Sequence, residues 1–224
     1  MSVTEDPVAR GTVLACGSGS SLVRNERDVR EVPGRPGRGD VDPLLEATSG
    51  GPLIVVGTDA DLAAVVVRIM RKDRLGDTPV AYVPTEPDSP VARLWGLPAD
   101  PSAALALARE GAAAPRVLVR TDGAGSGVLL GEARFGPVTG EAYCDDTLAF
   151  RGTVPSVVVR PGPAGVRGTV KRGRFRRSVG VAGRAFQLGC EPVELVIDGV
   201  AHPRPVRRCT WYRHTEDLLA ITDS

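Results

Sequence analysis

Two aspartates interrupt the longest apolar stretch of the chain, LIVVGTDADLAAVVVRIMR, residues 53–71. Asp59 and Asp61 stand in a tight turn between a run that reads as a strand and a run that reads as a helix. Such a turn lies at the C-terminal end of a strand and at the positive end of a helix, where α/β sheets place ligands and backbone N–H groups face anions. A carboxylate repels a phosphate unless a cation such as Mg²⁺ lies between them. Asp59 therefore reads either as a metal or substrate contact or as a helix cap, and Asp61 is the other available cap.

The elements that must position this turn are readable around it. Leu53 to Val56 are apolar and mostly β-branched after the breaker Gly50-Gly51-Pro52, which suits a strand buried on both faces of a parallel sheet. Leu62, Val65, Val66, Ile69 and Met70 recur at helical spacing. Upstream, Gly11 to Cys16 reads as a weak strand, followed by the small-residue run GSGSS. That run lacks the lysine of a P-loop and the third glycine of a dinucleotide fingerprint. Glu26 to Asp40 is rich in Gly, Pro and charge, so it reads as a surface connection of low order. Asp42-Pro43 is expected to cap a short helix that Gly50 stops.

Further on, Pro79 to Val83 reads as another buried strand, and the loop TEPDSP, residues 85–90, falls on the same ligand-bearing edge. Ser89-Pro90 and Asp100-Pro101 start two helices that Gly96 and Gly111 end, and Arg116 to Arg120 reads as one more strand. From Gly123 the pattern changes to short β runs punctuated by Gly and Pro, from GVLLGEARF to RPVRRCTWY, which suggests an antiparallel sandwich or curled sheet. The expected fold is thus an open α/β sheet domain over residues 1–122, with helices on both faces, followed by an all-β, sandwich-like domain over residues 123–224.

Charge supplies a second clue. The near-neutral chain, with 28 Lys/Arg and 27 Asp/Glu, divides into 15 against 21 over residues 1–150 and 13 against 6 over residues 151–224. An anionic partner for the basic part follows as an expectation. Lys171 to Arg177, KRGRFRR, concentrates the excess and would engage lipid headgroups or nucleotide phosphate; the alternative is a solvated edge that charge protects from aggregation. Aromatic residues make up only 4% and no helix-turn-helix or finger motif is present, which argues against nucleic acid.

Cys16, Cys144, Cys190 and Cys209 are widely spaced, as free thiols of a reducing compartment would be. A zinc site from Cys190, Cys209, His202 and His214 would lack the closely spaced ligand pair that structural zinc normally uses. In RRCTWYRHTEDL, residues 207–218, alternation suggests a strand with Arg213 outward; His214 reads as a general base or as a structural histidine. No segment reaches the roughly 18 consecutive apolar residues of a membrane span, and MSVTEDPVAR lacks the order of a secretion signal. A cytoplasmic protein is expected, with peripheral membrane contact through Lys171–Arg177 and self-association both left open.

Over roughly residues 50–222 the order of these pieces resembles the diacylglycerol kinase catalytic-domain family, bacterial lipid kinases related to sphingosine and NAD kinases. The family's Gly-Gly-Asp-Gly-Thr turn is matched by Gly57-Thr58-Asp59-Ala60-Asp61. Its strand ending in Pro, its Gly-Thr-Gly-Asn-Asp loop, its Phe-Ala-Arg and its Leu-Gly-Leu-Pro are matched by Pro84, TEPDSP, Val91-Ala92-Arg93 and Trp95-Gly96-Leu97-Pro98. Its Asp-Gly-Glu turn is matched by Asp198-Gly199, with Val200 in the third place. The resemblance implies ATP and Mg²⁺ as cofactors and Asp59 and Asp198 as catalytic and metal-binding residues. It also implies nucleotide contacts from Gly57, Thr58, Ala60, Asp61, Thr85 and Arg93.

Departures from the pattern fall where backbone must approach a nucleotide. Thr58 and Ala60 replace two glycines; Glu86, Pro87 and Asp88 replace Gly, Thr and Gly; Pro87 and Pro90 remove two N–H donors. They argue against ATP affinity of the ordinary kind. The expectation is a lipid-kinase-like protein with eroded nucleotide loops that works by binding a lipid, an anionic metabolite or a protein. The alternative is an active ATP- and Mg-dependent kinase acting on a lipid or small-molecule hydroxyl.

Overall fold

A computed structural model describes residues 11–24, 26, 28–47, 51–123, 127–173 and 177–223. They form two compact units. The first holds residues 1–88, 95–115 and 218–224; the second holds 89–94 and 116–217. The chain therefore passes between units more than once, whereas a single boundary at 122/123 allows one crossing. Charge and turn composition do not register a short helix or a final strand changing sides.

The first unit is built on a six-stranded sheet. Its strands are β1 (Thr12–Cys16), β2 (Val29–Val32), β3 (Leu53–Gly57), β4 (Val80–Pro84) and β5 (Ala113–Arg116), with the chain's last strand, Leu218–Ile221, between β4 and β5. β1 lies parallel to both β2 and β3, and β3 parallel to β4, in the order β2-β1-β3-β4. All five β3 residues are buried, as the uninterrupted apolar run requires of a central parallel strand. Successive side chains alternate faces. Ile54 and Val56 join Val13, Ala81, Val83, Ala104 and Ala108 in one core cluster.

Helices follow the expected punctuation in most places. α1 spans Arg38–Ala47, α2 Asp59–Arg71, α3 Pro90–Trp95 and α4 Pro101–Glu110. α2 buries Leu62, Val65, Val66 and Ile69 as one stripe. Ser89 Oγ accepts the Ala92 N–H at 2.9 Å to open α3, and Asp100 Oδ2 accepts the Ala103 N–H at 2.8 Å to open α4.

Three local expectations are corrected. Glu26–Asp40 is not all irregular: it contains β2 and the start of α1, because an edge strand tolerates exposed Arg30 and Glu31. Asp42 does not cap its helix, which already begins at Arg38. The Asp42 carboxylate is buried and receives Arg68 Nε and Nη2 at 2.8 Å each, pinning α1 to α2; Gly50, its expected stop, lies outside the described residues. Arg116 to Arg120 is not one strand either. β5 ends at Arg116, β6 begins at Val119, and the two belong to different sheets.

The second unit is a β-sandwich. One sheet orders β10 (Thr147–Val154), β9 (Val138–Cys144), β14 (Ala185–Val193), β17 (Val206–Arg213), β6 (Val119–Asp122) and β7 (Gly127–Leu129). The other orders β13 (Val179–Gly183), β12 (Gly165–Lys171), β11 (Ser156–Gly162), β8 (Ala133–Phe135), β15 (Leu195–Ile197) and β16 (Val200–Ala201). Every recorded pairing in both is antiparallel. Inward residues of the two sheets share one core centred on Trp211, stacked on Phe135 with ring centroids 5.8 Å apart. Each sheet thus hides one apolar face, as period-two patterning demands.

Candidate functional site

The turn after β3 is closed by its own side chains. Thr58, not either aspartate, is the N-cap of α2: its Oγ1 accepts the Asp61 N–H at 3.3 Å. Asp61, three residues on, returns the favour in a capping box, where Oδ2 accepts the Thr58 N–H at 2.8 Å and the Thr58 hydroxyl at 2.9 Å. Its other oxygen, Oδ1, accepts the Arg35 N–H at 2.5 Å. A side chain at Gly57 would come within 2.7 Å of Asp61 Oδ2, so the glycine makes room for this carboxylate. Asp61 is 4% exposed. A carboxylate of the chain itself is therefore seated at the helix N-terminus, where an external anion would otherwise be stabilised.

Asp59, at the first position of α2, is also 4% exposed and accepts the Tyr82 hydroxyl at 2.9 Å from β4. The Thr85 N–H donates to the Gly57 carbonyl at 2.9 Å, joining the two loops. Thr85 Oγ1 is buried without a hydrogen-bond partner. Glu86, Pro87 and Asp88 stand exposed beyond it. Beneath the turn, burial and then the negative charge of Asp61 and Asp40 push the Cys16 thiol up to about 12, so it stays protonated and inert.

Asp198 lies in the second unit, at the tip of the hairpin joining β15 and β16. Its φ of 45° and the 82° of Gly199 match the two left-handed residues of a tight Asp-Gly hairpin turn. The carboxylate is 3% exposed. Oδ1 accepts the Gly131 and Glu132 N–H groups at 2.8 and 3.0 Å, Oδ2 accepts that of Leu130 at 3.0 Å, and the Asp198 N–H donates to the Glu132 carbonyl at 2.9 Å. Arg93 is on α3, exposed, in the same unit. The structure thus gathers Gly57, Thr58, Asp59, Ala60, Asp61 and Thr85 in one unit and holds Arg93 and Asp198 in the other.

Three participants escaped sequence reasoning. Tyr82 is the one polar atom carrier of β4, and that position in VAYVP was the available signal. Gly131 admits Asp198, whose Oδ1 would be 3.1 Å from a Cβ placed there. Glu132, 5% exposed, receives Arg134 Nη2 and Arg160 Nη2, and Arg160 Nε at 3.0 Å. Burial raises the Glu132 pKa, yet the hydrogen bonds and charges of these arginines outweigh it and hold the carboxyl below its usual 4.5.

A folded-state value below the unfolded one stabilises the fold above the unfolded value and is lost as pH falls through the folded value. Glu132→Gln should therefore cost stability at neutral pH and nothing below both values. About 1 kcal/mol is expected, less than for a fully enclosed pair because Arg134 and Arg160 stay in contact with water. Urea midpoints of the two proteins that converge below pH 4.5 would bear this out; a gap independent of pH would refute it.

The remaining histidines and Cys190 make local contacts. Burial first, then the Arg120 charge, lowers His214, which is neutral at physiological pH. His202 Nδ1 is 2.6 Å from the Arg204 carbonyl, and the Cys190 thiol faces the Val206 carbonyl at 3.7 Å. Among the described residues no group of three or more His, Cys, Asp and Glu is placed to hold a metal ion. Of the Lys171–Arg177 segment, residues 174–176 lie outside the described residues. Among the described residues no helix is long and apolar enough to cross a membrane.

No family model and no curated protein matches this sequence. Solved structures do match its fold. A diacylglycerol kinase from Bacillus anthracis str. Sterne is 12% identical with TM-score 0.64, over 96% of this chain and 97% of its own. A second structure from that strain, assigned as a candidate diacylglycerol kinase, is 11% identical with TM-score 0.71, over 97% and 99%. An NAD kinase from Archaeoglobus fulgidus, in complex with ATP, is 14% identical with TM-score 0.58, over 96% and 93%. An α/β unit built on a mainly parallel sheet and an antiparallel sandwich, in this order and at nearly full length, give the chain the fold of diacylglycerol kinase-like proteins and NAD kinase.

Proposed function

We propose that this chain is a lipid-kinase-like protein whose nucleotide site has been closed from within, so that it acts by binding rather than by phosphoryl transfer. The observation that carries this reading is Asp61, whose buried carboxylate takes the Thr58 and Arg35 amides and the Thr58 hydroxyl. An incoming phosphate meets a fixed negative charge and finds those donors already engaged. Thr58 and Ala60 add side chains where glycine would let backbone approach, and Glu86 and Asp88 add two more carboxylates on the second loop. These residues do not fit a triphosphate held by loop amides, and phosphoryl transfer depends on positioned positive charge.

A second reading, an ATP- and Mg²⁺-dependent kinase using Asp59 and Asp198, is favoured by the unpartnered Thr85 hydroxyl at the end of β4. Incubation with Mg²⁺, labelled ATP and diacylglycerol decides between them. No lipid phosphorylation above a no-enzyme control is expected. Turnover that Asp59→Ala abolishes would establish the kinase instead.

A further inference from the structure

We infer that the outward face of the β13-β12-β11-β8-β15-β16 sheet is a docking surface for an anionic phospholipid membrane. The registers place Arg160 directly opposite Arg167 across β11 and β12, and Ser156 opposite Lys171. On the neighbouring strand Arg134 pairs with Val158, one step along β11 from Arg160 on the same face. Like charges set directly opposite across a sheet destabilise it, and the single Glu132 carboxylate, shared between Arg134 and Arg160, offsets only part of the positive charge that Arg167 adds opposite Arg160.

The counter-charge on this face is small. Along the described strands of this sheet its outward positions carry no acid; of the carboxylates beside them, Glu132 lies buried beneath Arg134 and Arg160, and Glu194, one residue before β15, is exposed at the edge of the face. Glu132 orients both guanidinium groups while their remaining N–H donors stay at the surface, Arg134 being 64% and Arg160 41% exposed. Asp198 holds the Glu132 backbone at both its N–H and its carbonyl, so the Asp-Gly hairpin fixes the base of the arrangement.

The rest of the face suits a lipid surface better than a soluble ion. Gly180, Ala182 and Ala201 keep it low, and Val196, 37% exposed, offers an apolar contact opposite Arg134. Fixed cations spread across several strands match a plane of phosphodiesters, and each cation near such a plane raises partitioning about fivefold. The state of the nucleotide turn does not enter this inference.

Vesicle sedimentation of the full chain tests it, with phosphatidylcholine alone compared with phosphatidylcholine containing phosphatidylglycerol. Binding to the anionic vesicles only is expected. Arg167→Glu should lower that binding roughly 25-fold, since it changes two charges, while raising the thermal midpoint because Glu would now oppose Arg160. The double variant Arg167→Gln/Lys171→Gln should lower binding by a similar factor. Arg208→Glu, outward on β17 of the other sheet, should leave binding within a few-fold. A stabilised Arg167→Glu with undiminished binding, an equal loss with Arg208→Glu, or displacement by inorganic phosphate beyond that by chloride at equal ionic strength would each overturn the membrane assignment.

Discussion

Replacing Asp198 with alanine is expected to cost about 3–5 kcal/mol of stability, a large share of the roughly 5–15 kcal/mol that holds a domain together. Three backbone amides, of Leu130, Gly131 and Glu132, lose their acceptor inside a site where water cannot replace it. Alanine also tolerates the left-handed backbone at φ 45° poorly. Asp198→Asn keeps the conformational preference and one acceptor oxygen, so it should lose about half as much. Denaturant unfolding followed by tryptophan fluorescence measures both, with Trp211 reporting from the sandwich core. A carboxylate kept only to bind metal or move protons would behave oppositely, since removing an uncompensated charge leaves stability unchanged or raises it.

Asp61→Ala carries the second largest expected effect, about 2–4 kcal/mol. The capping box contributes about 1 kcal/mol of it, and the rest comes from the Thr58 and Arg35 amides left without an acceptor. The loss has a local signature as well. Amide exchange should accelerate first at Thr58 and Arg35, and the segment before α1 should loosen from the turn while the sandwich keeps its protection. Uniform acceleration through both units would show that Asp61 acts on global stability alone.

Much of the scaffold was legible in residue order because its strands are defined by what they bury. Leu53 to Val56 admits no polar residue, and a central parallel strand is the element that needs none. The alternating runs after Gly123 likewise required two facing sheets, and Trp211 with Phe135 marks where they meet. Val29–Val32 escaped because an edge strand is under no such rule, and its Arg30 and Glu31 resemble a loop. Arg116 to Arg120 misled because one apolar rhythm runs on while the chain changes sheets.

The local geometry of the candidate turns was only partly legible in the sequence. Thr58-x-x-Asp61 is a capping box with Asp in the third position, a spacing visible in the sequence but easily read as ligand chemistry beside Asp59. That Asp61 also holds the Arg35 amide depends on chain 26 residues away, which no local pattern encodes. The Glu132, Arg134 and Arg160 arrangement was hidden for the same reason: Arg160 reaches Glu132 only through the register of β11 on β8. Asp198 was found through its Asp-Gly turn, yet its three amide donors come from residues 130–132.

The most direct test is an amide-resolved NMR titration of the wild-type chain with Mg-ATP, observing Thr58, Asp59, Ala60, Asp61 and Thr85. With Asp61 seated on the helix N-terminus, these resonances are expected to stay in place up to millimolar nucleotide, moving no more than surface amides do. Saturable shifts confined to those five residues, and absent in Asp59→Ala, would contradict the closed site and restore a working nucleotide pocket.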